Sequence, residues 1–252
     1  MFRQVFVTAL LAGILGGATI SVVQEFTTTP VILHAEKFES AAPVGAHSLI
    51  APGSGVRLAR PARAHANAPH GAADGGTAQD ADAAWAPGDG IERTLFTALA
   101  NIVTGVGFAL LLTACFALAG RPVDGRTGII WGLAGFGAMS LGPALGLPPE
   151  VPGAMAADLG ARQGWWILCA FATAAGLWLM VFRRGAAWAV GGIALIALPH
   201  LIGAPQPDRI GGAVPPELAA HFVAASLVTA AIFWCALGWL SGTFWSRFAP
   251  RD

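Results

Sequence analysis

Charge is what this chain has least of. Only 11% of its 252 residues are Asp, Glu, Lys or Arg, in equal numbers of each sign, so the formal net charge is zero. No basic surplus exists to attract nucleic acid. Lys37 is the single lysine, and no GxxxxGK[ST] phosphate loop occurs, which excludes ATP hydrolysis by that route. HExxH and GxSxG are also missing, so the sequence predicts no enzyme. Cysteine is scarce and odd in number: Cys115, Cys169 and Cys235 all fall inside apolar runs. A disulfide framework is therefore not expected, and the three read as small buried hydrophobes.

What is abundant is apolar surface. Hydrophobic residues make up 55% of the chain and the mean hydropathy is +0.64, beyond the range of a soluble domain. A helix rises about 1.5 Å per residue and a bilayer core is roughly 30 Å thick, so a crossing needs about 20 mainly apolar residues. Uncharged apolar runs over 5–23, 94–119, 128–147, 164–182, 186–203 and 219–242 predict six crossings, the fifth being short and holding Pro199 and His200. The expected fold is all-α, a polytopic membrane helix bundle. Its divisions are a first helix with an amphipathic extension (1–40), a low-complexity loop (41–90) and a five-helix core (91–252).

Orientation follows from the cations of the short loops and tails. With the N-terminus in the cytoplasm, Arg3, Arg121, Arg126, Arg183, Arg184, Arg247 and Arg251 lie inside, whereas the two short outer loops hold only Arg162 and Arg209. The long first loop carries further cations, but a loop of about 70 residues translocates largely regardless of charge. N-in, C-in is expected. A cleavable secretory signal in place of the first crossing is the alternative, against which stand the length of its apolar run and the want of a small-x-small cleavage site before Pro30.

Gly13 with Gly17, Gly128 with Gly132 and Gly238 with Gly242 have the small-xxx-small spacing that lets helix backbones approach. Any one of these pairs could reflect general glycine richness, since the chain has 33 glycines; together they support a tight bundle. Residues 41–90 are Ala, Gly, Pro, His and Asp with almost no large apolar side chain, too little to offset chain entropy. His47, His65 and His70 lie there, irregularly spaced, and read as part of a spacer more readily than as ligands. Thr27–Glu39 mixes apolar and charged residues, and either continues the first helix or lies along the membrane surface.

Under this topology the ligand-type side chains gather on the outer face: Glu25, His34, Glu36 and Glu39 after the first crossing, then Glu92, with Asn101 about two turns deeper, then Glu150, Asp158 and Arg162, and finally His200, Glu217 and His221. Ionisable groups at membrane depth are costly unless paired or hydrated, which makes them functional candidates. His200 stands beside the helix-breaking Pro199, and His221 should return to a similar depth on the next helix. Pro215 and Pro216 suit a helix start, and Glu217 with His221, four apart, share one face. Glu217 as a plain cap with His221 at the interface is the competing reading. Imidazole with carboxylate suits a divalent first-row ion. Asp158 and Arg162, also four apart, are expected to form a surface ion pair. GLPPEVPG and AVPPELAA echo each other, which hints weakly at an internal duplication.

MFRQVFVTALLAGILGGATISVVQEFTTTPVILHAEKFE, LGPALGLPPEVPGAMAADLGARQGWW, ALPHLIGAPQP and PPELAAHFVAASL resemble the CbtA family, predicted cobalt transporter subunits of bacteria. The resemblance covers nearly all of the chain outside the low-complexity loop. It implies uptake of cobalt for cobalamin synthesis, often alongside CbtB, a small one-helix protein with histidines near its end. By position the matching blocks contain Glu25, His34 and Glu36, then Glu150 and Arg162, then His200, then Glu217 with His221. The expanded loop departs from the family pattern and places its histidines outside it. The expectation is a permease subunit that captures Co(II), or Ni(II), at outer His and Glu residues, with the ion as cargo and no resident cofactor. Deprotonated imidazole and carboxylate are the binding forms, so capture weakens as pH falls. The alternatives are a non-transporting accessory or metal-sensing subunit and, less favoured, a haem protein using His200 and His221.

Overall fold

The computed structural model describes residues 2–41, 87–88, 90–208 and 211–249, and no β-strand occurs among them. The expected loop 41–90, with His47, His65 and His70, lies outside the described residues but for its edges. Helix α1 is Phe2–Phe26, α2 is Thr28–Ala41 and α3 is Ile91–Ala119. Helix α4, Gly125–Phe136, runs without a break through a π-helical turn at Gly137–Leu141 into a last turn at Gly142–Ala144. Helices α5 (Leu159–Phe182), α6 (Ala186–Ile202) and α7 (Pro216–Arg247) complete the bundle.

Four of these, α1, α3, α5 and α7, are long and apolar enough to cross a membrane. The other two expected crossings differ for local reasons. Helix α6 has 17 residues, about 26 Å at the standard rise, short of a bilayer core. Helix α4 is interrupted because Pro143 has no N–H to give; the N–H of Gly142 reaches back to the carbonyl of Gly137 in the wider π pattern instead. Helix α2 begins one residue after α1, the Thr27 N–H closing a tight turn on Gln24 O at 3.2 Å, and buries Thr28, Val31 and Ala35. It continues the first helix with a break, packing on α1 and α7.

Side-chain size is distributed inside out. Enclosed positions of α1 are Thr8, Ala9, Ala12, Gly13, Gly16, Gly17 and Ile20, while Phe6, Leu10, Leu11 and Ile14 face outward. Lipid is as apolar as leucine, so no hydrophobic gain comes from hiding large side chains, and close backbone packing decides which face turns in. Three seams follow. A Cβ added at Gly17 would stand 2.5 Å from the Cα of Ile102 on α3, and one at Gly105 2.6 Å from the carbonyl oxygen of Gly13. Gly128 and Gly132 of α4 face Gly238, Gly242 and the carbonyl of Trp234 on α7 with no room for a methyl group. Gly176 of α5 and Gly192 of α6 meet in the same way. All three spaced glycine pairs in the sequence are thus helix contacts.

Around the first seam Ala9, Ala12, Ala109, Leu112, Phe116, Trp234 and Leu237 close a core into which Phe108 and Trp131 pack. The neighbour order across the bundle is α3, α1, α7, α4, α5, α6. Gly132→Leu should lower the midpoint of thermal unfolding in detergent, losing about 1–3 kcal/mol or more to overpacking. Gly107→Ala on α3, where an added Cβ meets nothing within 4 Å, should leave it unchanged or slightly raised. A thermal melt of both variants checks the pair.

Candidate functional site

The bundle's two ends carry different chemistry. At one end the Gln4 amide donates to the carbonyl of Trp245 at 2.9 Å, and the Arg121 guanidinium lies 4.9 Å from the Phe182 ring centre. These contacts join the start of α1, the link from α3 to α4, the end of α5 and the end of α7. Arg3, Arg121, Arg126, Arg183, Arg184 and Arg247 all belong to this end. Its acid among the described residues is Asp124, which caps α4 by accepting from the Thr127 N–H at 2.8 Å. That backbone hydrogen bond, helped by the Thr127 side chain, holds the Asp124 carboxyl below its ordinary range.

The opposite end collects the ligand-type residues. Glu36 of α2 is gripped by Arg93 of α3 in a two-point pair, Nη2 to Oε1 at 2.5 Å and Nη1 to Oε2 at 3.1 Å. The hydrogen bonds from Arg93 push the Glu36 carboxyl below its usual value, against the opposing effect of partial burial. Below them Asn101 donates to Gln24 Oε1 at 2.6 Å and Ser21 Oγ at 3.1 Å, which settles the deep polar side chain of α3 inside the α1 seam. Glu25 and His34 are exposed, the latter with its ring 5.5 Å from that of Phe38.

Glu150 accepts from Arg162 at 2.6 Å. The expected pairing of Arg162 with Asp158 does not form, because Asp158 is the N-cap of α5 and its Oδ1 takes the Ala161 N–H at 2.9 Å. The two loops that contain PPE lie together: Ala154 bridges Gly212, and the Met155 N–H donates to Gly211 O at 3.3 Å. Beside them opens a cavity of about 660 Å³ between α4, α5 and α7, lined in part by Ser140, Glu150, Arg162, Gln163, Trp166 and Ser226. Ser140 sits in the π turn, where the Trp234 indole N–H reaches its hydroxyl at 3.3 Å. Sequence reasoning passed over Ser140, Gln163 and Ser226. The signal was the joint presence of Pro143 and a run of small residues, which marks where a helix opens.

Helix α5 presents two working faces. Arg162, Gln163 and Trp166 look into the cavity, while Trp165 and Cys169, one turn apart, look at α6. On that second face the Trp165 indole N–H donates to the carbonyl of Pro199 at 3.1 Å, and its ring meets the His200 ring edge-on at 5.6 Å. His200 Nε2 lies 3.8 Å from Cys169 Sγ. His200 is half-buried, whereas Glu217 and His221, in the first turns of α7, are exposed. Helix α6 makes its seam with α5, so the structure seats His200 against α5 and does not bring it to His221. Among the described residues no three His, Cys, Asp or Glu side chains gather as a metal cage. The seven expected ligands therefore stand at one end as singles, with Glu36 and Glu150 already tied to arginines.

Because the Arg93 bond depresses the Glu36 pKa, its contribution is complete above the ordinary carboxylate range and is lost as pH falls through the lowered value. Glu36 and Arg93 are each more than a third exposed, so the pair contributes about 0.2–1 kcal/mol. Hydrogen-exchange protection of the α2 amides should drop on acidification in the parent chain. In Glu36→Gln it should be lower already at neutral pH and lose that part of its pH dependence.

The family model described as CbtA, probable cobalt transporter subunit, matches residues 2–246. No curated protein and no solved structure matches.

Proposed function

The chain belongs to the CbtA family of probable cobalt transporter subunits, and from that premise we propose that it is a permease subunit through which a divalent transition ion, cobalt for cobalamin synthesis, enters from the ligand-rich end of the bundle. The observation that carries this reading is the segregation of charge. One end holds six arginines and a capping aspartate. At the other, Arg93 and Arg162 are each bound by a glutamate, and His34, His200, His221, Glu25 and Glu217 remain available to a cation. The positive-inside rule puts the arginine end in the cytoplasm, so N-in, C-in in a bacterial inner membrane is the orientation we adopt.

Six crossings with α4 and α6 counted fit that orientation, α6 being the short one, seated on α5 with Pro199 buried and Leu201 and Ile202 exposed at its outer end. The cavity beside Glu150 is wide enough for a hydrated ion, and Glu150 would bind it only by exchanging Arg162 for the ion. The ion is cargo and we assign no resident cofactor. Nickel competes with cobalt for such ligands by the ordinary affinity order. A small partner such as a CbtB-type one-helix protein would complete the assembly. A non-transporting accessory role is the second reading, favoured by the absence of a three-ligand cage among the described residues.

Three outcomes are expected. A reporter fused to the C-terminus should prove cytoplasmic. Cobalt uptake by proteoliposomes should require this chain, and uptake obtained only when another subunit is added would support the accessory role. In cells, His200→Ala with His221→Ala should cut cobalt accumulation severalfold; unchanged accumulation would remove these histidines from the path.

A further inference from the structure

Cys169 is the buried reactive group for which neither packing nor the capture site described above has a use. It is fully enclosed, on the face of α5 that meets α6, and the nearest ligand-type atom is His200 Nε2 at 3.8 Å. That separation is long for a thiol-to-nitrogen hydrogen bond. A first-row ion of zinc's size bonds imidazole nitrogen at about 2.0–2.1 Å and thiolate sulfur at about 2.3 Å, which places N and S about 3.5–3.6 Å apart at the tetrahedral angle and about 3.7–3.8 Å apart at about 120°. The observed 3.8 Å matches the wider angle, and a closure of about 0.2–0.3 Å would reach the tetrahedral one.

We infer that Cys169 and His200 form a two-ligand nitrogen and sulfur site for a borderline divalent transition ion, with Cys169 as a ligand that hydropathy hides. The inference rests on the reading of this chain as a carrier of such an ion, and adds the sulfur donor to it. Three features of the surroundings support the pair. Pro199, directly before His200, is clamped by the Trp165 indole on its carbonyl, which fixes the backbone that carries the imidazole. The Trp165 ring walls one side of His200, so the ring has little freedom to turn away. The Gly176 and Gly192 contact, two turns below Cys169, locks α5 and α6 at the spacing that sets the pair.

The chemistry balances simply. The ion forms one bond to Nε2 and one to Sγ in place of the thiol proton, which leaves by the half-buried His200 side, and on that side the ion keeps its waters. A thiolate donor discriminates against Mg(II) and Ca(II), which take oxygen ligands. Two protein ligands, rather than the four of a structural site, suit an ion that must leave again.

Cobalt itself is the probe. The full chain, purified in detergent and titrated with Co(II), should develop a thiolate-to-cobalt charge-transfer band in the near ultraviolet. Cys115→Ser with Cys235→Ser should keep the band; Cys169→Ser should lose it and weaken the cobalt Kd about tenfold or more. Cys169→Ala, with thermal unfolding like the parent's, guards against a folding artefact. Cobalt bound without the band in the parent, or a band that survives Cys169→Ser, would reduce the pair to a thiol–imidazole contact and overturn the inference while leaving the transport reading untouched. A band that forms in a chain that moves no cobalt into vesicles would support the site and remove the transport reading.

Discussion

Backbone touching backbone between helices is the constraint on which this molecule depends. In lipid, burying a leucine gains nothing, so helices associate through dispersion and through the few polar bonds they can share. The seams at Gly13 and Gly17, at Gly128, Gly132, Gly238 and Gly242, and at Gly176 with Gly192 bring main chains to distances that even a methyl group would prevent. The first two seams fix rotation as well as distance, because a glycine pair four residues apart presents one face only, and at the third a single glycine on each helix meets the other's carbonyl. Helix α1 therefore turns Thr8, Ala9 and Ala12 inward and Phe6 and Leu10 outward. The site geometry inherits that rotation: with α5 locked to α6 at Gly176, Trp165 and Cys169 must face Pro199 and His200, and Arg162 must face the cavity.

The second constraint is the supply of hydrogen bonds at membrane depth. Asn101, Gln24 and Ser21 satisfy one another across the α1 and α3 seam, and Thr229 donates to Thr27 at 2.9 Å between α7 and the break after α1. Such bonds are each modest, but they sit where the alternative is an unpaired polar group in hydrocarbon. Proline is handled the same way. Pro143 is absorbed by a π turn, and the carbonyl of Pro199 takes an indole N–H as well as the closing bond from Gly203. Both adjustments occur beside the candidate chemistry, the first at the cavity and the second at His200, as expected where irregular helix is tolerated only when it lines something.

How much of this was legible in the sequence varies with the range of the interaction. Four of the apolar crossings and two of the three glycine seams were readable, because spacing along one helix is local and Gly-xxx-Gly has a single steric consequence; the Gly176 with Gly192 seam was not, since neither glycine has a partner four residues away. The gathering of ligand-type residues at one end was readable too, since alternating helix direction follows from the count of apolar runs. Partner choice was not. Arg162 and Asp158 have good spacing for a pair, yet the cap needs of α5 claim the Asp158 carboxylate, and Arg162 turns to Glu150 on the preceding loop. Likewise His200 and His221 look matched in depth, but depth says nothing of azimuth, and α6 seats on α5 rather than α7. Cys169 was read as packing and is fully enclosed, but its contact with His200 was not legible, because hydropathy cannot report which way a helix is rotated.

Pairing Arg93 and Arg162, the described arginines at the ligand-rich end, has an electrostatic result that a simple count of charges would miss. An unpaired Arg162 at the mouth of a low-dielectric cavity would repel a divalent ion strongly, since charge interactions grow as the local dielectric falls. Bound to Glu150, it contributes a dipole instead of a net charge, and Arg93 is neutralised in the same way by Glu36. The remaining exposed carboxylates, Glu25 and Glu217 among them, then set the sign of the field that a cation meets on approach. Exposed carboxylates hold a hydrated ion weakly. Under the transport reading, exchange of water for imidazole calls for a half-enclosed nitrogen, and His200 has that setting in the α5 and α6 seam, on the face of α5 away from the cavity.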